Sequence, residues 1–177
     1  MKKKPFSEIP YIKGSRIELR QLTVADAPAL REMTEDPEVY RYLPTFLFEK
    51  KYPDTETVIE RLYTEAWQDS IILGIFMDGS FCGLAEMYGF QDEIHKISLG
   101  CRLVKRCWGQ GIAREAVGLM VDYLYEETDI EIITASTMVV NQAIAKVVEK
   151  LGFSLVSHAA EEDWGFETPT IADKWIR

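Results

Sequence analysis

Leu103-Val104-Lys105-Arg106-Cys107-Trp108-Gly109-Gln110-Gly111-Ile112-Ala113 joins a segment of strand period to a segment of helix period. Upstream, Ile97, Leu99, Cys101 and Leu103 alternate with Ser98, Gly100 and Arg102, as in a strand with one strongly buried face. Downstream, Ala113, Ala116, Val117, Met120, Val121 and Leu124 line one side of a helix. The two glycines therefore sit between a strand end and a helix start. Unpaired backbone N–H groups and the positive helix end at such a place suit an anion such as a pyrophosphate, and glycine permits close backbone approach. A plain structural turn is the other reading of the same residues. Two nucleotide motifs fail on spacing: the third glycine of the dinucleotide fingerprint falls on Arg114, and no Gly-Lys-Ser/Thr stands at P-loop distance.

Working outward, Ile71 to Met77 is an apolar, β-branched run, Asp78-Gly79 is a favoured two-residue hairpin turn, and Phe81 to Phe90 returns as a second strand. With the strand ending at Leu103 they make an antiparallel meander. Before it, Arg16 to Leu22 alternates as a strand. Thr23-Val24-Ala25-Asp26 has capping-box spacing for a helix carrying Leu30 and Met33, and Asp54 caps another with Val58, Ile59, Leu62, Tyr63 and Ala66 on one side. Between these helices Pro37, Pro44 and Pro53 punctuate an aromatic stretch, Tyr40, Tyr42, Phe46 and Phe48, read as short helix plus loop over a binding site. After the long helix, Glu131 to Met138 reads as a buried strand. Asn141 caps a helix with Ile144, Val147, Val148 and Leu151 inward, Gly152 ends it, and strands follow at Phe153 to Ser157 and Ile171 to Arg177. The predicted class is α/β (mixed α+β): one domain with a central, mostly antiparallel mixed sheet, order β-α-α-β-β-β-α-β-α-β-β, and helices on both faces. Residues 1–11 form an N-terminal extension and 12–177 the domain.

At 177 residues, with 47% hydrophobic and 28% charged, the chain has the make-up of a single globular domain. Twenty basic against 29 acidic residues give a net charge of −9, which disfavours a phosphate-backbone footprint, so nucleic acid is not the expected direct partner. An acidic surface attracts cationic ligands such as amines and equally serves solubility. The basic start Met1-Lys2-Lys3-Lys4-Pro5 runs into no long apolar region, so neither secretion nor a membrane is expected, and the expected compartment is the cytoplasm. Cys82, Cys101 and Cys107, with His95 and His158, lack metal-ligand spacing, and no metal is expected.

Arg106-Cys107-Trp108-Gly109-Gln110-Gly111-Ile112-Ala113 resembles the Gln/Arg-x-x-Gly-x-Gly/Ala acyl-CoA signature of the GCN5-related N-acetyltransferase (GNAT) superfamily. Asn141 to Phe153, ending Lys150-Leu151-Gly152-Phe153, resembles a second segment of that superfamily. Arg16 to Arg20 and Asp36 to Leu43 resemble its ribosomal-protein N-terminal acetyltransferase branch. The resemblance implies a transferase moving acetyl from acetyl-CoA to a primary amine, on a protein N-terminus or a small molecule. A catalytically weak acyl-CoA-binding or regulatory module is the alternative. By resemblance, the main chain of Leu103 and Val104 pairs with the pantetheine arm. Residues Arg106 to Ala113, with Trp108, Gly109, Gln110, Gly111 and Ile112, hold the pyrophosphate, Lys105 and Arg106 add charge, and Asn141 contacts the pantetheine or the thiol end. Asn141 is equally an N-cap. A homodimer through sheet edges or the C-terminal segment is compatible with the chain.

Attack on a thioester needs a neutral amine, whereas a lysine-type amine has a pKa near ~10.4 and an α-amine near ~7.7–8.0. A carboxylate facing the cleft accepts the proton, and Glu86 is the candidate, against its reading as an outward strand carboxylate beside Leu84 and Tyr88. The backbone N–H of Leu103 or Val104 stabilises the oxyanion by resemblance. Many relatives place a tyrosine or a serine as acid for the leaving thiolate; the matching positions here are Val148 and Ile144. Ser136 and Thr137 are the substitutes at hand, and Cys107 is read as a packed or surface thiol. Trp67, Trp164 and Phe166, with the aromatic stretch, are core or acceptor walls. Glu161-Glu162-Asp163 is a solvated loop or an attractor of cations.

Overall fold

The computed structural model describes residues 6–177, so the basic start lies outside the described residues. Strands β1 (Ile12–Lys13), β2 (Ile17–Arg20), β3 (Ser70–Met77), β4 (Ser80–Gln91), β5 (Lys96–Leu103), β6 (Ile132–Met138), β7 (Ser154–Glu162) and β8 (Thr170–Ile176) form one sheet, in the order β1-β2-β3-β4-β5-β6-β8-β7. Helices α1 (Ala27–Thr34) and α2 (Thr55–Leu62) cover one face. Helix α3 (Ile112–Glu127) and α4 (Gln142–Lys150) cover the other. The expected order holds, with the two-residue β1 added ahead of it. Every neighbouring pair is antiparallel except β5 with β6, which the crossover through α3 makes parallel.

Local chemistry accounts for the punctuation. Asp78 and Gly79 both take positive φ, 51° and 76°, as a two-residue hairpin of the primed type requires. Thr23 and Asp26 form the capping box, which opens a 3-10 turn (Val24–Asp26) running into α1. Asp54 accepts the N–H groups of Glu56 and Thr57 at the start of α2. The core is two-sided: Leu73, Ile75, Met87, Ile97 and Met120 pack on the α3 side, and Leu30, Leu62, Ile72, Phe76 and Leu84 on the α1–α2 side. Phe6 joins the first cluster and stacks on Tyr123 at 5.9 Å between ring centres.

Two expectations need correction. In α4 only Val148 is fully buried, because Ile144 and Val147 face a cleft instead of the core. In β5, Arg102 belongs to the alternation's polar side yet is 5% exposed, because charged partners cover it.

Candidate active site

The cleft exists because β5 and β6 part company. Their pairing runs from Lys96–Ile132 to Leu99–Ala135 and stops, although β5 continues to Leu103 and β6 to Met138. The resulting opening, about 1520 Å³, reaches both faces of the sheet: Glu86, Tyr88 and residues of the loop before α2 such as Tyr42, Phe46 and Phe48 on the α1–α2 side, and Trp108, Gly109, Gly111 to Arg114 and α4 on the other. Parting also frees main-chain groups. Val104 N–H donates to Cys82 O at 2.9 Å, flanking the Gly83–Leu103 pair. Since successive residues of an antiparallel strand address alternate neighbours, Arg102 bonds β4 while the N–H groups of Cys101 and Leu103 point into the gap. The Val104 N–H is therefore spent on β4, and of the two expected donors only the N–H of Leu103 is directed into the gap. The Leu103 carbonyl accepts the Trp108 indole N–H at 3.0 Å.

The glycine loop has the anticipated backbone. Gly109 and Gly111 have φ of 72° and 77°, and Gly111 directly precedes α3. The first helical bond runs from Glu115 N to Gly111 O at 3.1 Å, so the N–H groups of Ile112, Ala113 and Arg114 come before any intrahelical acceptor. Arg16, from the turn before β2, clamps the loop from behind: its Nη1 donates to Gln110 O at 2.9 Å and its Nε to Glu115 Oε2 at 2.8 Å. The sequence reading did not single out this role.

Of the expected CoA contacts, Leu103, Trp108, Gly109, Gly111, Ile112, Ala113 and Asn141 line the cleft, and Val104, Arg106 and Gln110 do not. The Arg106 guanidinium is turned to Phe81 O (2.6 Å) and Cys107 Sγ (3.2 Å), and Lys105 pairs with Glu38, so neither cation expected for phosphate is presented. Arg114, in the first turn of α3, lines the cleft and has no charged partner among the described residues. Asn141 accepts Ile144 N–H at 3.5 Å as the cap of α4 and also lines the cleft.

On the other face Glu86 is no solvated strand carboxylate. Its Oε2 accepts Arg102 Nη1 at 2.7 Å, and its side chain is only 12% exposed. Arg102 in turn grips Glu49 with Nε at 2.5 Å and Nη2 at 2.6 Å, and Tyr40 donates its hydroxyl to Glu49 Oε1 at 3.2 Å. Burial raises the Glu86 proton affinity, Arg102 lowers it and Glu49 raises it, with a net rise above the ordinary value. Burial also pushes the Tyr88 hydroxyl up to about 12, so at neutral pH it stays protonated as a donor facing the cleft. Arg102 and Glu49 were missed by the sequence reading. Their only signal, an arginine on a strand whose face carries Glu86 one strand away, has no local counterpart for Glu49.

The remaining candidates separate cleanly. Tyr42, Phe46, Phe48 and Trp164 line the cleft, whereas Tyr40 serves Glu49, Trp67 packs in the core, and Phe166 is exposed. Thr45 N–H donates to Trp164 O at 2.9 Å, tying the loop before α2 to the β7–β8 connection above the cleft. Glu162 and Asp163 line the cleft, with Glu162 held by the Trp164 indole (2.7 Å) and Lys174 (3.0 Å). Ser136 and Thr137 both line the cleft, Thr137 buried and accepting the Trp175 indole N–H at 2.9 Å, and Cys107 is a packed thiol, 4% exposed. Among the described residues no group of side chains is arranged to hold a metal ion, and no helix is long and apolar enough to cross a membrane.

Residues 16–154 match the acetyltransferase (GNAT) domain family. YdaF of Bacillus subtilis (strain 168), whose name gives it provisionally as a ribosomal N-acetyltransferase, is 24% identical over 146 residues, 79% of each chain. In solved structures the fold matches RimL, a ribosomal L7/L12 alpha-N-protein acetyltransferase in complex with coenzyme A. The TM-score is 0.80 at 16% identity, covering 95% of this chain and 97% of that one. It also matches a point mutant of SpeG, a spermidine N-acetyltransferase from Vibrio cholerae, with a TM-score of 0.73 at 17% identity, covering 93% and 94%.

Proposed function

Because the chain belongs to the acetyltransferase (GNAT) family, whose members use acetyl-CoA, we propose that it transfers acetyl from acetyl-CoA to a primary amine by direct attack. The observation that carries this reading is the gap between β5 and β6, open on both sheet faces, with a glycine-loop helix start on one side and a buried carboxylate on the other. Acetyl-CoA, when bound, supplies an activated acetyl thioester. Leu103, Trp108, Gly109, Gly111, Ile112, Ala113 and Asn141 hold it, with Arg114 as the cation for its phosphates in place of Arg106. The Leu103 N–H stabilises the developing oxyanion. Glu86 accepts the proton of the incoming amine, directly or through water. Ser136 and Thr137, both lining the cleft, are the hydroxyls that assist the thiolate, since Ile144 and Val148 carry no proton to give; a thiol pKa near ~8.5 makes that help modest.

The acceptor is an amine on a protein N-terminus or a small molecule. Named relatives include a ribosomal-protein α-N-acetyltransferase and a spermidine acetyltransferase, which supports these two classes alike. The apolar Ile144 and Val148 favour a second reading, a weakly catalytic acyl-CoA-binding module. A melting titration with acetyl-CoA, with ATP as control, tests the donor: a ligand at 100 times its Kd adds about 2.7 kcal/mol. Selective stabilisation followed by amine-dependent thiol release, on N-terminal peptides or on spermidine, establishes the transferase. Stabilisation without thiol release selects the binding module, and no stabilisation overturns both.

A further inference from the structure

We infer that Arg102 is a positioning residue: forked to Glu49, which Tyr40 bonds in turn, it fixes Glu86 through one oxygen and leaves the other for the cleft. The inference rests on the reading above that Glu86 accepts the acceptor's proton. The geometry is lopsided in an informative way. Glu49 takes two of the guanidinium's N–H groups in a fork, at 2.5 and 2.6 Å, and is completely buried, while Glu86 takes one, through Oε2. Among the described residues Glu86 Oε1 has no hydrogen bond, and Glu86 lines the cleft. One guanidinium thus faces two carboxylates. Glu49, forked to Arg102 and bonded by Tyr40, is saturated, so the uncompensated negative charge sits on Glu86, at the edge of the open space.

A surface carboxylate needs no such apparatus. Burial alone drives a carboxyl toward its neutral form, in which it cannot take a proton from an amine. Arg102 opposes that, and Glu49 orients Arg102 at the cost of a second like charge nearby. The charged groups acting on Glu86 are Arg102 on β5 and Glu49 from the loop before α2, with Tyr40 bonded behind Glu49. The cleft it opens on is also lined by Tyr88 on its own strand, Cys101 on β5, Cys107 beyond it, Glu38, Arg41, Tyr42, Lys50 and Lys51 from the loop before α2, Arg114 on α3, and Glu162 with Lys174 from β7 and β8. Exposed Asp69 and Asp163 also line the cleft. Only Arg102 and Glu49 act on Glu86 with opposite signs at contact distance or one residue beyond it.

The opposition supplies a test that a merely structural role fails. Carbon-13 NMR of glutamate-labelled protein reads the titration of the Glu86 carboxyl, assigned by its loss in Glu86→Gln, without any acceptor present. Glu49→Gln should move the Glu86 midpoint down and Arg102→Gln should move it up, and with a working acceptor the acid limb of kcat/KM should follow in the same two directions. Both variants lower stability, so loosened packing alone predicts shifts of one sign or none, and that result overturns the inference. Should Arg102→Gln fail to fold, Glu49→Gln decides: a downward shift supports it and an unmoved or raised midpoint overturns it. Should Glu86→Gln leave the pH–rate profile unaltered while the NMR shifts are opposite, the proton-acceptor reading fails and the electrostatic arrangement stands. Where Glu86→Gln does alter the pH–rate profile, opposite NMR shifts with no matching movement of the rate limb overturn the positioning role.

Discussion

Glu86 sets a stability cost against a chemical use. Burial outweighs the help of Arg102, so its proton affinity in the folded chain lies above the ordinary value of 4.5. Between the ordinary and the raised value the folded state holds more protons than the unfolded one. Stability tied to this group is therefore full below the ordinary value and is lost as pH rises through the raised one. Glu86→Gln should accordingly melt higher than the parent at pH ~7 and lose that advantage toward pH ~4, while acetyl transfer falls by ~10²–10⁴-fold. Melting curves across that range, run beside thiol-release rates, check both halves, and identical pH dependence in parent and variant would refute the buried-charge argument. At this scale the glycines, the Asn141 cap and Glu86 were legible in the chain. Arg102 and Glu49 were not, because a charged side chain reveals its burial only through partners, and these two stand in segments far apart in sequence.

At the level of elements, β4 and β5 must approach closely opposite the cleft. A Cβ on Gly83 would lie 2.1 Å from Arg102 O and 2.8 Å from Leu103 Cα, both backbone atoms that cannot step aside. Gly83→Ala should therefore push β5 away where Leu103 faces the gap, with a loss of ~3 kcal/mol or more in urea unfolding and weaker acetyl-CoA binding. Gly109 provides the contrast. Its φ is 72° but a Cβ there meets nothing within 4 Å, so Gly109→Ala should cost only the backbone term, ~1–2 kcal/mol, and a bulky residue should weaken CoA binding while the fold survives. Unchanged CoA affinity in the bulky variant removes the loop from the donor site. Strands, helices and turns were readable here because their periods and caps are local. The alternation in β5 showed which residues share a face and not whether that face is covered, which is why Arg102 was placed among polar residues.

Across the whole molecule, protection should follow the sheet's order. β3 and β4 lie in its middle with most residues buried, whereas β7 is an edge strand with Leu155 45% and Val156 60% exposed. Amide exchange should therefore be slowest in β3, β4 and β5 and fast along the outer side of β7. Saturating acetyl-CoA should slow exchange selectively from Cys101 to Arg114. Slowing spread evenly over the sheet instead would point to global stabilisation without a site at the glycine loop. The loop before α2 and the β7–β8 connection, tied through Thr45 and Trp164, close the cleft from segments over a hundred residues apart.

The sequence alone determined the order of elements, the glycine loop feeding α3, the family resemblance and the donor class, since each is written in short-range patterns of period, capping and spacing. Tertiary structure alone decided where β5 leaves β6, which N–H groups that parting frees, that Arg106 is bonded to Phe81 O while Arg114 lines the cleft, and that Glu49, Arg102 and Glu86 form one buried chain of charge. The physical reason is the same throughout: ladder geometry and charge burial are properties of pairs distant along the chain, and no local pattern carries them.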